Sequence, residues 1–441
     1  MGRPIVSENP EVRVRALGSG GGGVADLPDG RVVFIQRTAP GDLVRIQIEK
    51  SKPRWATGSV EALLEPGPDR IEASCPLYSE CGGCQLQHIP YARQIEWKGR
   101  FIADALGRIG GLEGIEPPKV VPSPSKERYR SRVTYTLRRL RGGRVVAGFH
   151  ALGKPAHVIE VGRECLLPLD ELTNVWEGLR ENWGAGARHL PEAGRLRLTL
   201  RLGDDGVELV VQGGARGWTG RALVERVPAI VAVWHEAAGT EKGPSLVLGT
   251  PGARGGTSFE QVNRDAAVAL RDYVLEVVGA PSHLLAEEGA DKDKLAVELV
   301  DAYCGNGTYG RALASRGWSV VGIELDASAV ELAENDAPEG FSVVRGSVEM
   351  LLPDTLPAKV LLVNPPRGGL DASVPSLILN NPPERIVYVS CDAGTLSRDL
   401  CALGHRYEVE SLKAFELFPQ TAHVETLVAL RRVEDGAWST T

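Results

Sequence analysis

The chain has 441 residues, 43% of them apolar and only 5% aromatic, which is enough for two or three domains with filled cores. No apolar run reaches the ~18 residues that a membrane span needs, and Met1-Gly-Arg-Pro-Ile-Val-Ser-Glu8 lacks a signal-peptide core, so a cytosolic protein is expected. A net charge of −7 excludes a uniformly basic coat for nucleic acid and confines any such surface to a local patch.

Residues 11–64 carry short alternating runs, Val12-Arg-Val14, Arg31-Val-Val-Phe-Ile35, Leu43-Val-Arg-Ile-Gln-Ile48 and Thr57-Gly-Ser-Val-Glu-Ala-Leu-Leu64. Turn clusters at 18–23, Asp29-Gly30 and Pro40-Gly-Asp42 separate them, a pattern that predicts four or five strands in a small OB-like β-barrel. The glycine-rich turn, Asp29-Gly-Arg-Val-Val-Phe34 and Pro40-Gly-Asp-Leu-Val44 resemble the TRAM domain, which implies an RNA-binding module over residues 1–66. Charges in residues 1–70 nearly balance, ten Lys/Arg against nine Asp/Glu.

After Glu65-Pro-Gly-Pro68 comes Cys75-Pro-Leu-Tyr-Ser-Glu-Cys81-Gly-Gly-Cys84, with a fourth candidate in Cys165. In a cytosolic chain, three thiolates within ten residues and one distant can close a four-sulfur site around Zn²⁺ or an iron–sulfur cluster, and spacing does not choose between them. Between 128 and 147 stand seven arginines and no acid, with Arg130, Arg132, Thr134 and Thr136 on one face of a strand and Gly142-Gly143 as a hairpin turn. That face is a candidate phosphate track. A second hairpin, Leu196 to Leu202 turning at Asp204-Asp-Gly206, reads as structural, and residues 67–255 form a mixed α+β central domain.

From 256 to 441 the chain alternates strand and helix, with strands at Val297–Val300, Ser319–Ile323, Phe341–Val344, Val360–Val363 and Arg385–Ser390, and an acidic insertion at Glu287–Asp293. This predicts a doubly wound α/β sheet, whose ligands sit beyond the carboxyl ends of the strands. The first such end is the glycine-rich turn Asp301-Ala-Tyr-Cys-Gly-Asn-Gly-Thr-Tyr-Gly310, and the second strand ends in Glu324, placed to accept from ribose hydroxyls. Gly305-Asn-Gly307-Thr-Tyr-Gly310 fits a bare dinucleotide pattern, but the strand-end acid Asp301 and the lack of a phosphate-seeking lysine favour an adenosyl ligand with an ammonium, S-adenosylmethionine.

Cys391 leaves the apolar strand ending at Ser390 and opens a helix, where the helix dipole and free amides are expected to stabilise a thiolate. Thiolate addition at C6 of a uracil turns C5 into an enolate carbon that can take a methyl group, and a base must then remove the C5 proton. Phe418-Pro-Gln-Thr-Ala-His-Val-Glu425 offers Glu425 for that step, with His423 as the substitute.

Taken together, Cys84-Gln-Leu-Gln-His88, Phe259-Glu-Gln-Val-Asn263, Asp301 to Gly310, Glu324, the Pro-Pro-Arg turn, Ser390-Cys391, Thr395-Leu-Ser-Arg-Asp-Leu400 and Phe418 to Glu425 resemble the RNA uridine-C5 methyltransferases that carry a TRAM domain and an iron–sulfur cluster. The resemblance spans nearly the whole chain. It implies a Rossmann-like class I methyltransferase domain over 256–441, with Gln261, Tyr303, Gly305, Thr308, Glu324 and Asn364 at the S-adenosylmethionine site, Cys391 as nucleophile and Glu425 as base. It also implies a [4Fe–4S] cluster on Cys75, Cys81, Cys84 and Cys165, and a monomer acting on structured RNA, ribosomal RNA before tRNA. Family members usually have Asp where Asn364 stands and Asn where Asp392 stands, an exchange that would conserve charge if both residues faced one pocket. Rival readings are a cytidine-C5 methyltransferase and a non-catalytic RNA-binding protein.

Overall fold

A computed structural model describes residues 9–112, 114–240, 243–250, 260–281 and 297–433. The expected acidic insertion at 287–293 and Phe259 lie outside these residues. The chain divides into two compact units, one of residues 1–98, 125–256 and 418–423, the other of 99–124, 257–417 and 424–441.

The first unit holds two sheets. Six strands between Glu11 and Glu65 form the N-terminal barrel, one or two more than the turn clusters predict. Its core is the inward half of each alternating run, including Val14, Val33, Ile35, Val44, Ile46 and Ala56. Leu43–Ser51 and Trp55–Glu65 pair antiparallel as its longest hairpin. Asp42, fully buried, accepts from the amides of Ala39 and Gly67 and pairs with Arg70 at 2.5 Å, and these donors hold its carboxyl below the usual range against the opposing effect of burial.

The second sheet has seven strands between Arg132 and Gly249, packed on the helix Asp170–Asn182 through Trp176, which stacks on Tyr135 with ring centroids 3.8 Å apart. The predicted hairpin at Gly142-Gly143 is present, and Leu196, Leu198 and Leu200 are buried as expected. Arg132 and Thr134 alternate with buried Val133 and Tyr135 as expected, but two arginines flanking that face are committed to the protein itself. Arg139 donates to the carbonyls of Gly186, Ala187 and Pro191, and Arg128 to those of Cys165 and Arg163. Both guanidinium groups brace loops that lack a sheet partner of their own.

The second unit is an eight-stranded sheet in the order Phe341–Arg345, Val320–Glu324, Leu299–Ala302, Val360–Val363, Arg385–Ser390, Glu425–Arg432, Tyr407–Phe415, Val120–Val121. The first five strands are parallel, and three of them, Leu299–Ala302, Val360–Val363 and Arg385–Ser390, are buried on both faces, as a sheet covered by helices on each side requires. Strand order reverses between Leu299–Ala302 and Val360–Val363, which opens a crevice at their carboxyl ends. Glu425–Arg432 then runs antiparallel to Arg385–Ser390, with Ser390 opposite Thr426. Residues 99–124 belong to this unit rather than to the central segment, adding Val120–Val121 at the sheet edge. Among the described residues, no helix is long and apolar enough to cross a membrane.

Candidate active site

At the crevice, Leu299–Ala302 delivers the chain into the turn 303–307, with Tyr303, Gly305 and Gly307 all at positive φ. Gly305 has open space where a Cβ would stand, so its backbone is free to approach a ligand. Gly310 is needed for a different reason: a Cβ there would stand 2.9 Å from the Asp301 carboxylate, which accepts from the Gly310 amide at 2.9 Å. Asp301 therefore braces the turn from inside. It is fully buried, burial pushes its carboxyl up to about 7, and its Oδ1 has no hydrogen-bond partner among the described residues.

Glu324, at the end of the neighbouring strand, accepts from the Gly305 amide at 2.9 Å and from the Asp326 amide at 2.7 Å. The carboxylate is thereby fixed beside the glycine turn, with lone pairs left for ligand hydroxyls. Thr308 opens the helix Thr308–Ala314 and donates to the Asn306 side chain at 2.7 Å. Asn364 follows Val360–Val363, its amide bound to the Ala302 carbonyl at 3.3 Å, so the two central strand ends are tied together.

Cys391 and Glu425 come together through sheet register. Because Ser390 pairs with Thr426 across antiparallel strands, the residues one step beyond each, Cys391 and Glu425, fall opposite one another. Glu425 is buried, and burial pushes its carboxyl up to about 7 against the opposing pull of Arg367 and a hydrogen bond from Gln261. Gln261, expected at the cofactor, thus touches the candidate base. The Cys391 thiol is also pushed up, to about 11, chiefly by burial and then by the Glu425 carboxylate, with Arg367 pulling the other way. The helix start that argues for a thiolate is thus opposed by desolvation and by the facing carboxylate. His423 is exposed, its ring edge-on to Phe418 with centroids 6.0 Å apart.

Arg367 is the residue that sequence reading passed over, noted only as the end of a Pro-Pro-Arg turn. Its turn is held by Asp399, buried beneath it, which accepts from the Leu370 amide at 2.8 Å and the Tyr388 hydroxyl at 2.7 Å. Arg398 adds donations to the carbonyls of Gly368 and Leu370 at 3.0 Å each. The signal was the Asp in Thr395-Leu-Ser-Arg-Asp-Leu400, on the helix that the candidate nucleophile opens.

Asp392 has a local role. It is the N-cap of the helix Ala393–Leu403 and accepts from the Thr395 amide at 2.9 Å. Asparagine caps equally well, so Asp392→Asn should leave stability within about 0.5 kcal/mol of wild type, whereas Asp392→Ala should cost about 1 kcal/mol in denaturant unfolding. A large effect of Asp392→Asn on methyl transfer with unchanged stability would restore the idea of a shared charge with Asn364.

In the first unit, Cys75, Cys81, Cys84 and Cys165 line one apolar cavity of about 20 Å³ together with Tyr78 and Phe149. Burial raises all four thiols, Cys84 to about 11 and Cys165 to about 12. Arg37, at φ +65°, donates to the carbonyls of Cys81 and Cys84 at 2.6 Å each and lies 3.6 Å over the Tyr78 ring. Among the described residues, no group of three or more His, Cys, Asp or Glu side chains is arranged to hold a metal ion.

Known proteins match both halves of the chain. A TRAM domain model matches residues 7–60 and a tRNA (Uracil-5-)-methyltransferase model matches 348–433, the span that holds Asn364, Arg367, Cys391 and Glu425. An uncharacterized RNA methyltransferase of Gloeobacter violaceus is 33% identical over 98% of this chain and all of the relative, and one of Thermosynechococcus vestitus is 32% identical over 95% and 97%. The crystal structure of Pyrococcus abyssi tRNA (uracil-54, C5)-methyltransferase in complex with S-adenosyl-L-homocysteine superposes with a TM-score of 0.68, at 25% identity, over 95% of this chain and 99% of that one. The glycine turn and sheet order are those of a Rossmann-like class I methyltransferase that uses S-adenosylmethionine. The chain belongs to the RNA (uracil-C5)-methyltransferases that carry a TRAM domain.

Proposed function

We propose that this chain is a cytosolic, monomeric enzyme that methylates C5 of a uridine in ribosomal RNA through a covalent adduct between Cys391 and C6. The observation that carries the chemistry is the opposition of Cys391 and Glu425 across paired strand ends. Cys391, ionised with its proton released to solvent, adds Sγ to C6, and the C5–C6 electron pair moves onto C5 and O4 as an enolate. S-adenosylmethionine, when bound, supplies the electrophilic methyl that C5 accepts. Glu425 then removes the C5 proton, and the returning pair restores the double bond and expels the Cys391 thiolate. Arg367 lowers the cost of the thiolate at both ends of this sequence. Gln261, Tyr303, Gly305, Thr308, Glu324 and Asn364 would bind and orient the methyl donor. The unpartnered Asp301 Oδ1 and the open face of Gly305 support a ligand there.

The fold similarity to an enzyme of tRNA uracil-54 favours tRNA as the second reading. Incubation with labelled methyl donor and separated ribosomal and transfer RNA, followed by digestion to nucleosides, decides between them. The reading predicts 5-methyluridine in the ribosomal fraction. Label in the tRNA fraction moves the substrate to tRNA, 5-methylcytidine changes the base, and no product leaves a binding protein.

Cys75, Cys81, Cys84 and Cys165 would hold a [4Fe–4S] cluster. The lining of one apolar cavity by all four thiols supports it, although no three of them stand arranged to hold a metal ion here, so the cluster would draw them together. The cluster would act as a structural clasp for the segments 75–84 and 165. Anaerobically purified protein is expected to be brown, and Cys81→Ser to bleach it while S-adenosylmethionine binding persists in calorimetry. Colourless protein with stoichiometric zinc would contradict this.

A further inference from the structure

The longest hairpin of the barrel ends in Glu49-Lys-Ser-Lys-Pro-Arg-Trp55, seven residues with three cations and one acid. Lys50, Lys52 and Arg54 are all exposed, and no ion pair with an acid among the described residues neutralises them. Nearby Arg31 is committed inward: it pairs with Asp29 at 2.6 Å and donates to Ser51 Oγ at 2.5 Å and to the Lys52 carbonyl at 3.2 Å. With the Lys52 amide bound to the Trp55 carbonyl at 2.8 Å, the tip is held in one shape.

Two aromatic rings stand open beside these cations. Trp55 is 36% exposed and Phe34 on the adjacent strand 40%, edge to face with centroids 6.4 Å apart, and Lys50 Nζ lies 5.4 Å from the Trp55 ring centre. What sets these two rings apart from singly exposed apolar residues is that they stand together and beside three unpaired cations. Rings offer stacking faces to any base, and unpaired cations offer contacts to phosphates, the pairing of features that single-stranded nucleic acid uses. A base inside a duplex has no free face to stack.

We infer that Trp55 and Phe34 form a stacking platform for unpaired nucleotides of the substrate RNA, with Lys50, Lys52 and Arg54 on the flanking phosphates. This rests on the reading that the chain acts on RNA. It adds where on the barrel the strand lies and that the barrel selects unpaired segments.

The test uses the full chain, with anisotropy of a fluorescein-labelled oligouridine alone and annealed to oligoadenosine. Trp55→Ala is expected to weaken the single strand roughly 5- to 100-fold while leaving the duplex nearly unchanged, and Trp55→Tyr to recover most of the loss. Lys50→Gln, Lys52→Gln and Arg54→Gln should each lower the slope of log affinity against log salt by about 0.7. Trp55→Ala that binds oligouridine as well as wild type, or loses strand and duplex equally with an unchanged melting temperature, overturns the platform. So does binding of phosphatidylserine vesicles that Trp55→Ala abolishes with oligouridine affinity intact, which assigns the patch to a membrane surface. Methylation of RNA by wild type separates the two readings: if it persists while the platform fails, only the platform is wrong, and if wild type neither binds nor methylates RNA, both fall.

Discussion

Replacing Cys391 with alanine is expected to lower single-turnover methylation by on the order of 10⁴-fold or more, the scale on which loss of a catalytic nucleophile acts. Without addition at C6, C5 of a uracil is too poor a nucleophile to take the methyl group, and among the described residues of the second unit no other thiol faces Glu425 across the paired strands. Cys304 is buried within the turn 303–307, and Cys401 lies near the end of the helix Ala393–Leu403. Binding of S-adenosylmethionine should be close to wild type, because Glu324 and the turn 303–307 are built without Cys391. Calorimetry of the cofactor and single-turnover transfer to RNA, measured on one preparation, separate chemistry from folding. Normal turnover by Cys391→Ala would end the covalent mechanism.

Much of this arrangement was legible because the relevant pattern is local. The parallel strands are apolar runs of four to six residues, and the structure places them within two residues of where the sequence does. The barrel announces itself by alternation broken at Asp29-Gly30 and Pro40-Gly-Asp42. What was not legible depends on partners distant in sequence or on backbone atoms. The arginines of 128–144 alternate as a solvated face would, but Arg128 and Arg139 end on carbonyls that no residue pattern advertises. Val120–Val121 is too short to show a period, so its place at the edge of the eight-stranded sheet comes only from pairing with Ala414 and Phe415.

The electrostatics of Cys391 illustrate the same limit. A helix start is visible in sequence and argues for a thiolate, whereas the carboxylate facing it is 34 positions away and the burial of both is a property of the sheet. Two acids compete here for one environment. Ionising Glu425 raises the thiol, so the cycle must deliver positive charge to the pocket, and Arg367 on its Asp399-held turn is the group of this chain that does so.

Glu425→Gln should separate the two halves of the reaction. Glutamine keeps the size of the side chain and can still hydrogen-bond Gln261, but it cannot take a proton, so addition of Cys391 and methyl transfer proceed while removal of the C5 proton does not. The expected result is a protein–RNA species stable to denaturing electrophoresis, carrying one methyl group per chain, with steady-state turnover reduced about 10²- to 10⁴-fold. Cys391→Ala combined with Glu425→Gln should abolish that species, which identifies the attacking atom. The wild-type pH profile follows from the same residue. Its folded pKa of about 7 lies above the ordinary carboxylate value because burial disfavours the charge, so the base form is present above that pH and is lost as pH falls through it. Resolution of the adduct should therefore slow tenfold per unit below about pH 7, and the adduct should accumulate in wild type at low pH. Release at wild-type rate by Glu425→Gln, with the same acid limb, would move the base to another group and leave Glu425 a positioning residue for Cys391.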